Sequence, residues 1–411
     1  MVDSAWMRIA HCGPVAAAGF GTVCLLSVLP VAGAPPTVGD EAGVSNSISA
    51  FNDGVERGAT LAYEPTTGYL RSVLQFLNIP TESQIAVFSK TSFQAKLVNQ
   101  QTPRVVYFND DVAIAWVRGS SSIEAAAVDP GTGVVFYELE QSQTQKPHFR
   151  RDDSCLSCHQ SERTMGVPGL FVLSTPPNRD KGGFVSDHRT PLTERWGGWY
   201  VTGVSSRFRH LGNRTGQGWL QSLYDQFDTS GYLTEYSDIV ALMTFEHQTR
   251  ATNLMTRLAR ETQTEESGQR QKDAVNALVD YLLFADEAPL PSRIIATSGF
   301  PEKFEALGPF DRRGRSLRHF DLRWRMMRYP CSYMINSKAF SALPFAARQS
   351  VYARMWNILS GRIDDPKYAS TSHADREAVI EILQDTKSDL PKYFRPEASA
   401  AIAVLGRMYP R

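Results

Sequence analysis

Residues 104–140 read RVVYFNDDVAIAWVRGSSSIEAAAVDPGTGVVFYELE. The runs 104–108, 112–118, 123–128 and 134–139 are rich in β-branched and aromatic residues. Asn109-Asp110-Asp111 and Asp129-Pro130-Gly131-Thr132-Gly133 stand between them as turn signals. Short apolar runs closed by such turns predict an antiparallel meander. A further run at 85–88 extends it upstream, and 170–174 and 199–204 are later strand candidates. A short helix is expected over 68–77, ended by Asn78-Ile79-Pro80.

Beyond about residue 218 the period changes. Residues 236–260 carry an apolar row at Ile239, Met243, His247, Leu254 and Leu258, and Val275, Leu278, Val279 and Leu282 make a second stripe. The polar stretch TQTEESGQ between them predicts a helical hairpin. A third helix is expected from Pro344 to Ser360, stopped by Gly361, and a fourth from Ser372, with Asp375 completing the cap, to about Thr386. The fold class is therefore α+β, with a β-rich half (61–217) followed by an α-helical half (218–411).

Residues 13–34 contain no charge, follow Arg8 and end in Ala32-Gly33-Ala34. This is the pattern of an export signal, or of an uncleaved N-terminal membrane anchor, over 1–34. Residues 35–60 are small and polar, and read as a flexible leader. The formal net charge is zero, which excludes a strongly basic nucleic-acid binder. Past the signal the thiols are Cys155, Cys158 and Cys331, too few for a disulfide framework.

Between the two halves lies Cys155-Leu156-Ser157-Cys158-His159. Two thiols separated by two residues can reach both vinyl groups of one porphyrin, and the next residue places an imidazole under the iron. Two other chemistries remain open. A zinc site would need Cys331 and a distant His to complete it. A redox disulfide should open a helix after a strand, whereas QKPHFRRDDS precedes this motif. The haem reading agrees best with export.

CLSCH behind an export signal resembles the c-type cytochromes. YFNDD at 107–111, DHRTPL at 187–192, RWGGWYVTG at 195–203 and RYPCSYMI at 328–335 are similar to stretches of a large group of exported bacterial single-haem proteins. The resemblance implies one covalent haem c on Cys155 and Cys158, His159 as axial ligand, a periplasmic or exported location and electron transfer with an unidentified redox partner protein. It does not imply the small class I cytochrome c fold, because a β-meander precedes the motif.

The sixth iron position separates electron transfer from a haem-dependent oxidoreductase or peroxidase with an open distal site. His188, beside Asp187, is the leading distal candidate; His247, on the apolar row of the long helix, reads as a buried, hydrogen-bonded core histidine or as the alternative distal ligand. His210 and Met165 rank below them, and His148 reads as a surface residue. Residues 311–328 carry seven arginines, which either clamp haem propionates or form an ion-paired basic face. Trp196, Trp199 and Tyr200 are candidates for packing on a porphyrin or for plain core. Cys331 reads as a buried inert thiol.

Overall fold

The structure is a computed structural model that describes residues 45–90, 94–175, 182–204, 209–213, 220–263 and 268–395. The expected signal or anchor over 1–34 lies outside these residues. No helix among the described residues is long and apolar enough to cross a membrane.

The meander forms as its turns predict. Strands β1 (Ile85–Val87), β2 (Arg104–Phe108), β3 (Val112–Val117), β4 (Ser122–Asp129), β5 (Gly133–Glu140) and β6 (Phe149–Arg151) pair antiparallel in sequence order. Strand β9 (Trp199–Tyr200) closes the other edge beside β1. The short strands β7 (Val172–Ser174) and β8 (Phe184–Ser186) form a separate hairpin.

Every residue of β3 is buried, so the sheet is covered on both faces. Alternation along the strand assigns the faces. Val112, Ile114 and Trp116 meet helices α1 (Ser47–Glu56) and α2 (Leu70–Phe76). Ala113 and Ala115 face the helical half.

Helix α1 overturns part of the expected flexible leader at 35–60. Asn46 and Ser49 form a capping box, and Ile48, Phe51 and Val55 are buried. Their i, i+3, i+7 spacing is a helical stripe hidden in a small, polar composition. Asn52 then ties this helix to β6: its Nδ2 donates to the Phe149 carbonyl at 2.9 Å, and Phe149 N–H donates to its Oδ1 at 2.9 Å.

The helical half is built on α4 (Ile239–Thr262), 24 residues and therefore about 36 Å long. Asp238 caps it, accepting from the Val240 and Ala241 N–H groups. All residues from Ile239 to Thr249 are buried, because this stretch lies between the sheet and the remaining helices. Helix α5 (Gly268–Leu282) packs on α4, α8 (Phe345–Leu359) on α5, and α9 (His373–Thr386) on α8. Shorter helices are α3 (Leu156–His159), α6 (Phe300–Ala306) and α7 (Lys338–Ser341). The described residues belong to one compact unit, so the two halves are layers of a single α+β body.

Candidate functional site

Strand β6 delivers the chain to CLSCH. Asp152 caps the next turn, its Oδ1 accepting from Ser154 N–H at 3.0 Å. Helix α3 is a single turn, so Cys155, Cys158 and His159, at i, i+3 and i+4, share one side of it. Cys155 and Leu156 pack on Ala126, Val134 and Phe136 of β4 and β5.

The His159 ring is fixed by its neighbours. Its Nδ1 lies 2.9 Å from the Gly169 carbonyl, and Gly169 N–H donates back to the His159 carbonyl at 2.9 Å. Phe136 and Phe171 flank the ring at 4.7 and 5.0 Å. A carbonyl can only accept, so Nδ1 carries the proton and Nε2 keeps its lone pair. Burial pushes the His159 pKa down to about 4, against the opposing Gly169 carbonyl, so the ring is neutral at pH 7. Gly169 fits because it lacks a side chain: a Cβ there would come within 2.0 Å of Asn253 Oδ1.

Cys155 and Cys158 are free thiols, half-buried and exposed respectively. Burial, then the Asp152 and Glu124 carboxylates, push the Cys155 thiol up to about 12. A redox Cys-x-x-Cys pair needs the opposite, a stabilised thiolate. The zinc alternative also loses Cys331, which was needed to complete it. Cys331 is fully buried in the helical core, and no group of three His, Cys, Asp or Glu side chains suited to a metal occurs among the described residues.

Cys155, Cys158 and His159 line a cleft of about 300 Å³ together with one face of the sheet. Ala113, Ala115 and Ala126 keep that face low, where the usual β-branched residues would fill the space. Ala113 and Ala126 are direct cross-strand partners, so the alanines form a continuous shelf. Leu170, Phe171, Leu173, Trp199 and Phe245 supply apolar walls. The charged side chains on the cleft are Arg104 and Glu124, which form an ion pair over the intervening β3. A volume near 300 Å³ with few polar groups suits an apolar ligand held by a small number of specific contacts.

The two expected distal ligands do not line this cleft. His188 and His247 meet each other instead, Nδ1 to Nδ1 at 2.9 Å, and both are buried. His247 Nε2 bonds the Ser332 hydroxyl at 2.6 Å, and Tyr281 and Phe284 stack on its ring. The reason lies in the helix. Phe245 faces the cleft, and two residues later the direction has turned by about 200°. His188 is drawn to the same place and packs at a tilt against Tyr281, 4.2 Å between ring centroids.

Burial lowers the His188 pKa well below the ordinary value, helped by the neighbouring His247, and burial lowers that of His247 to about 3. Both are therefore neutral when folded, and the unfolded chain binds more protons below the ordinary value of 6.5. Their contribution to stability is complete above that value and is lost as pH falls from it toward the folded values. Urea unfolding of the haem-free chain at about pH 7.5 and 5.5 should show a marked loss at the lower pH, smaller in His247→Gln. Equal losses in both proteins would reject the assignment.

The remaining candidates also sit elsewhere. His210 is buried edge-on to Trp196 at 5.4 Å, and its Nδ1 accepts from Gly212 N–H. His148 lies beside Asn52. Met165 adopts a left-handed turn and packs against the helical core. Trp199 reaches the cleft, its indole N–H donating to the Leu173 carbonyl at 2.8 Å, whereas Trp196 and Tyr200 are core residues. In the basic segment, Arg312, Arg313, Arg315, Arg318 and Arg325 pair with Asp385, Glu381, Asp311, Asp110 and Asp375. None of them lines the cleft, so the segment is the ion-paired face.

Sequence reasoning missed Arg104, Glu124, Gly169 and the alanine shelf. One signal was available: SIEAAAVD places a carboxylate and three alanines in a strand flanked by apolar ones. Comparison with protein families, with curated proteins and with solved structures finds no match for this chain.

Proposed function

We propose that this chain is an exported single-haem protein of c type, in which Cys155 and Cys158 would hold the haem through thioethers and His159 Nε2 would ligate its iron. The observation that carries the reading is the His159 clamp. Nδ1 is bound to a backbone carbonyl, as metal-ligating imidazoles usually are, and the ring stands on a cleft that both thiols also line. Bound there, haem supplies one-electron exchange between two iron oxidation states, to be passed to a redox partner protein outside the cytoplasm. The chain's own residues position and shield it. Gly169 sets the imidazole tautomer, the alanine shelf leaves room for a flat group, and Phe136, Phe171 and Phe245 exclude water.

A second reading, a haem-dependent oxidoreductase with an open iron position, has its own observation. Among the described residues no His or Met besides His159 lines the cleft. The internal segments outside them (91–93, 176–181, 205–208, 214–219 and 264–267) contain neither residue type.

One experiment addresses both readings: the full chain is matured with c-type haem attachment in a bacterial periplasm. Haem that survives denaturing electrophoresis is expected on both readings, and a high-spin ferric spectrum that cyanide converts to low spin would favour the second. A low-spin spectrum indifferent to cyanide would leave the simple electron carrier. Absence of covalent haem would reject both.

A further inference from the structure

Arg104 is the first residue of β2 and, among the described residues, the one cation on the cleft. Its Nη2 donates to Glu124, the single side-chain hydrogen bond it makes among the described residues, and its Nε is buried without a partner. A guanidinium carries five N–H donors in a fixed fork that fits a carboxylate bidentately, so most of this fork is unused. A buried donor without an acceptor costs stability, and an arriving acceptor recovers it. The cleft is otherwise walled by apolar side chains and the CLSCH turn.

Haem carries two propionates, which need cationic partners when ionised in an apolar site. The arginines at 311–328 are not placed to provide them, since five are committed to carboxylates and Arg323 and Arg328 lie exposed beside Trp324 and Tyr329. We infer that Arg104, oriented by Glu124, is the anchor for a haem carboxylate in this cleft. This rests on the haem reading above. Glu124 has a defined part: it neutralises the guanidinium before haem arrives and holds its fork over the shelf residue Ala115, the direct cross-strand neighbour of Glu124.

The test measures covalent haem content and midpoint potential against pH in the wild-type holoprotein, Arg104→Gln, Arg104→Lys and Glu124→Gln. The other titratable groups at the cleft among the described residues are Glu124, Tyr137, Cys155, Cys158 and His159, with Asp152 against Cys155. In the holoprotein the thiols would be thioethers and the imidazole bound, so the ionisable groups left at the cleft are the Glu124 and Asp152 carboxyls, the Tyr137 phenol and the haem carboxylates. The wild type should hold its potential nearly constant through neutral pH, because Arg104 keeps its carboxylate ionised throughout. Arg104→Gln should keep the covalent haem. Its carboxylate pKa rises without the cation, so the potential falls as pH increases through the neutral range.

Arg104→Lys supplies a point charge in place of a fork and should lie between the two. Glu124→Gln leaves the cation in place and should keep a flat profile. Full haem content with a wild-type profile in Arg104→Gln would overturn the anchor and leave the haem reading intact. If that variant fails to fold, Arg104→Ala takes its place, and full haem content with a wild-type profile there overturns the anchor equally. A wild-type chain without covalent haem would overturn both.

Discussion

Replacing both Cys155 and Cys158 by Ala should abolish all haem that survives denaturing electrophoresis. The thioethers are the only covalent links proposed, so the expected effect is all or none. Single replacements should retain one link, with one vinyl group unreacted and the absorption bands moved to longer wavelength. The two thiols differ in setting. Cys155 is half-buried against Asp152, with its thiol pushed up to about 12 by burial first, whereas Cys158 is exposed. These settings exist only in the folded chain, so attachment before folding should leave the two single variants with equal haem, and unequal haem would mean attachment to the folded chain. Retention of covalent haem in the double variant would remove CLSCH from the site altogether.

The second large effect is expected far from the cleft. Arg195 and Glu246 are a buried ion pair, 2 % and 0 % exposed, with Nη1 and Oε2 3.1 Å apart. Arg195 also donates from Nη2 to the His188 carbonyl at 2.7 Å and from Nε to the Thr190 carbonyl at 2.6 Å, sewing the loop after β8 to α4. Burial raises the Glu246 pKa, and Arg195 opposes that rise. Arg195→Met removes the opposition and strands both carbonyls, at a cost of about 3–5 kcal/mol. Urea denaturation at neutral pH checks it. Adding Glu246→Leu should recover part of the loss, because an apolar pair of similar volume leaves no unpaired charge. A single-variant loss under about 1 kcal/mol would mean that the pair contributes little.

What was legible in the sequence follows the range of the interactions. Strands β2 to β5 and helices α8 and α9 were readable because turns, caps and apolar periods are local. Ser372 with Asp375 is such a signal, and the structure shows their capping box. Helix α1 was missed because Gly54 and the surrounding small polar residues masked three apolar positions. The cleft was beyond local reading. Its cation and anion lie 20 residues apart on non-adjacent strands, joined only by the register of the sheet. The two readings of His247, core histidine and distal ligand, stayed open for a related reason: an apolar helical row reports burial without saying which neighbour covers it. Its position beside Phe245 along the chain conceals a half-turn around the helix.

The His159 clamp closes only ten residues. On the proposed reading this sets an order of events during biogenesis. An attachment enzyme must reach both sulfurs and the ring while CLSCH is still extended, before β6 docks on β5. Closing a ten-residue loop takes roughly 10–100 ns once the chain is free to do so. Pairing β6 and seating helix α1 against it joins residues 97 apart, a slower, long-range step. The tie between Asn52 and Phe149 would thus act as a late latch, closing over a pigment already in place.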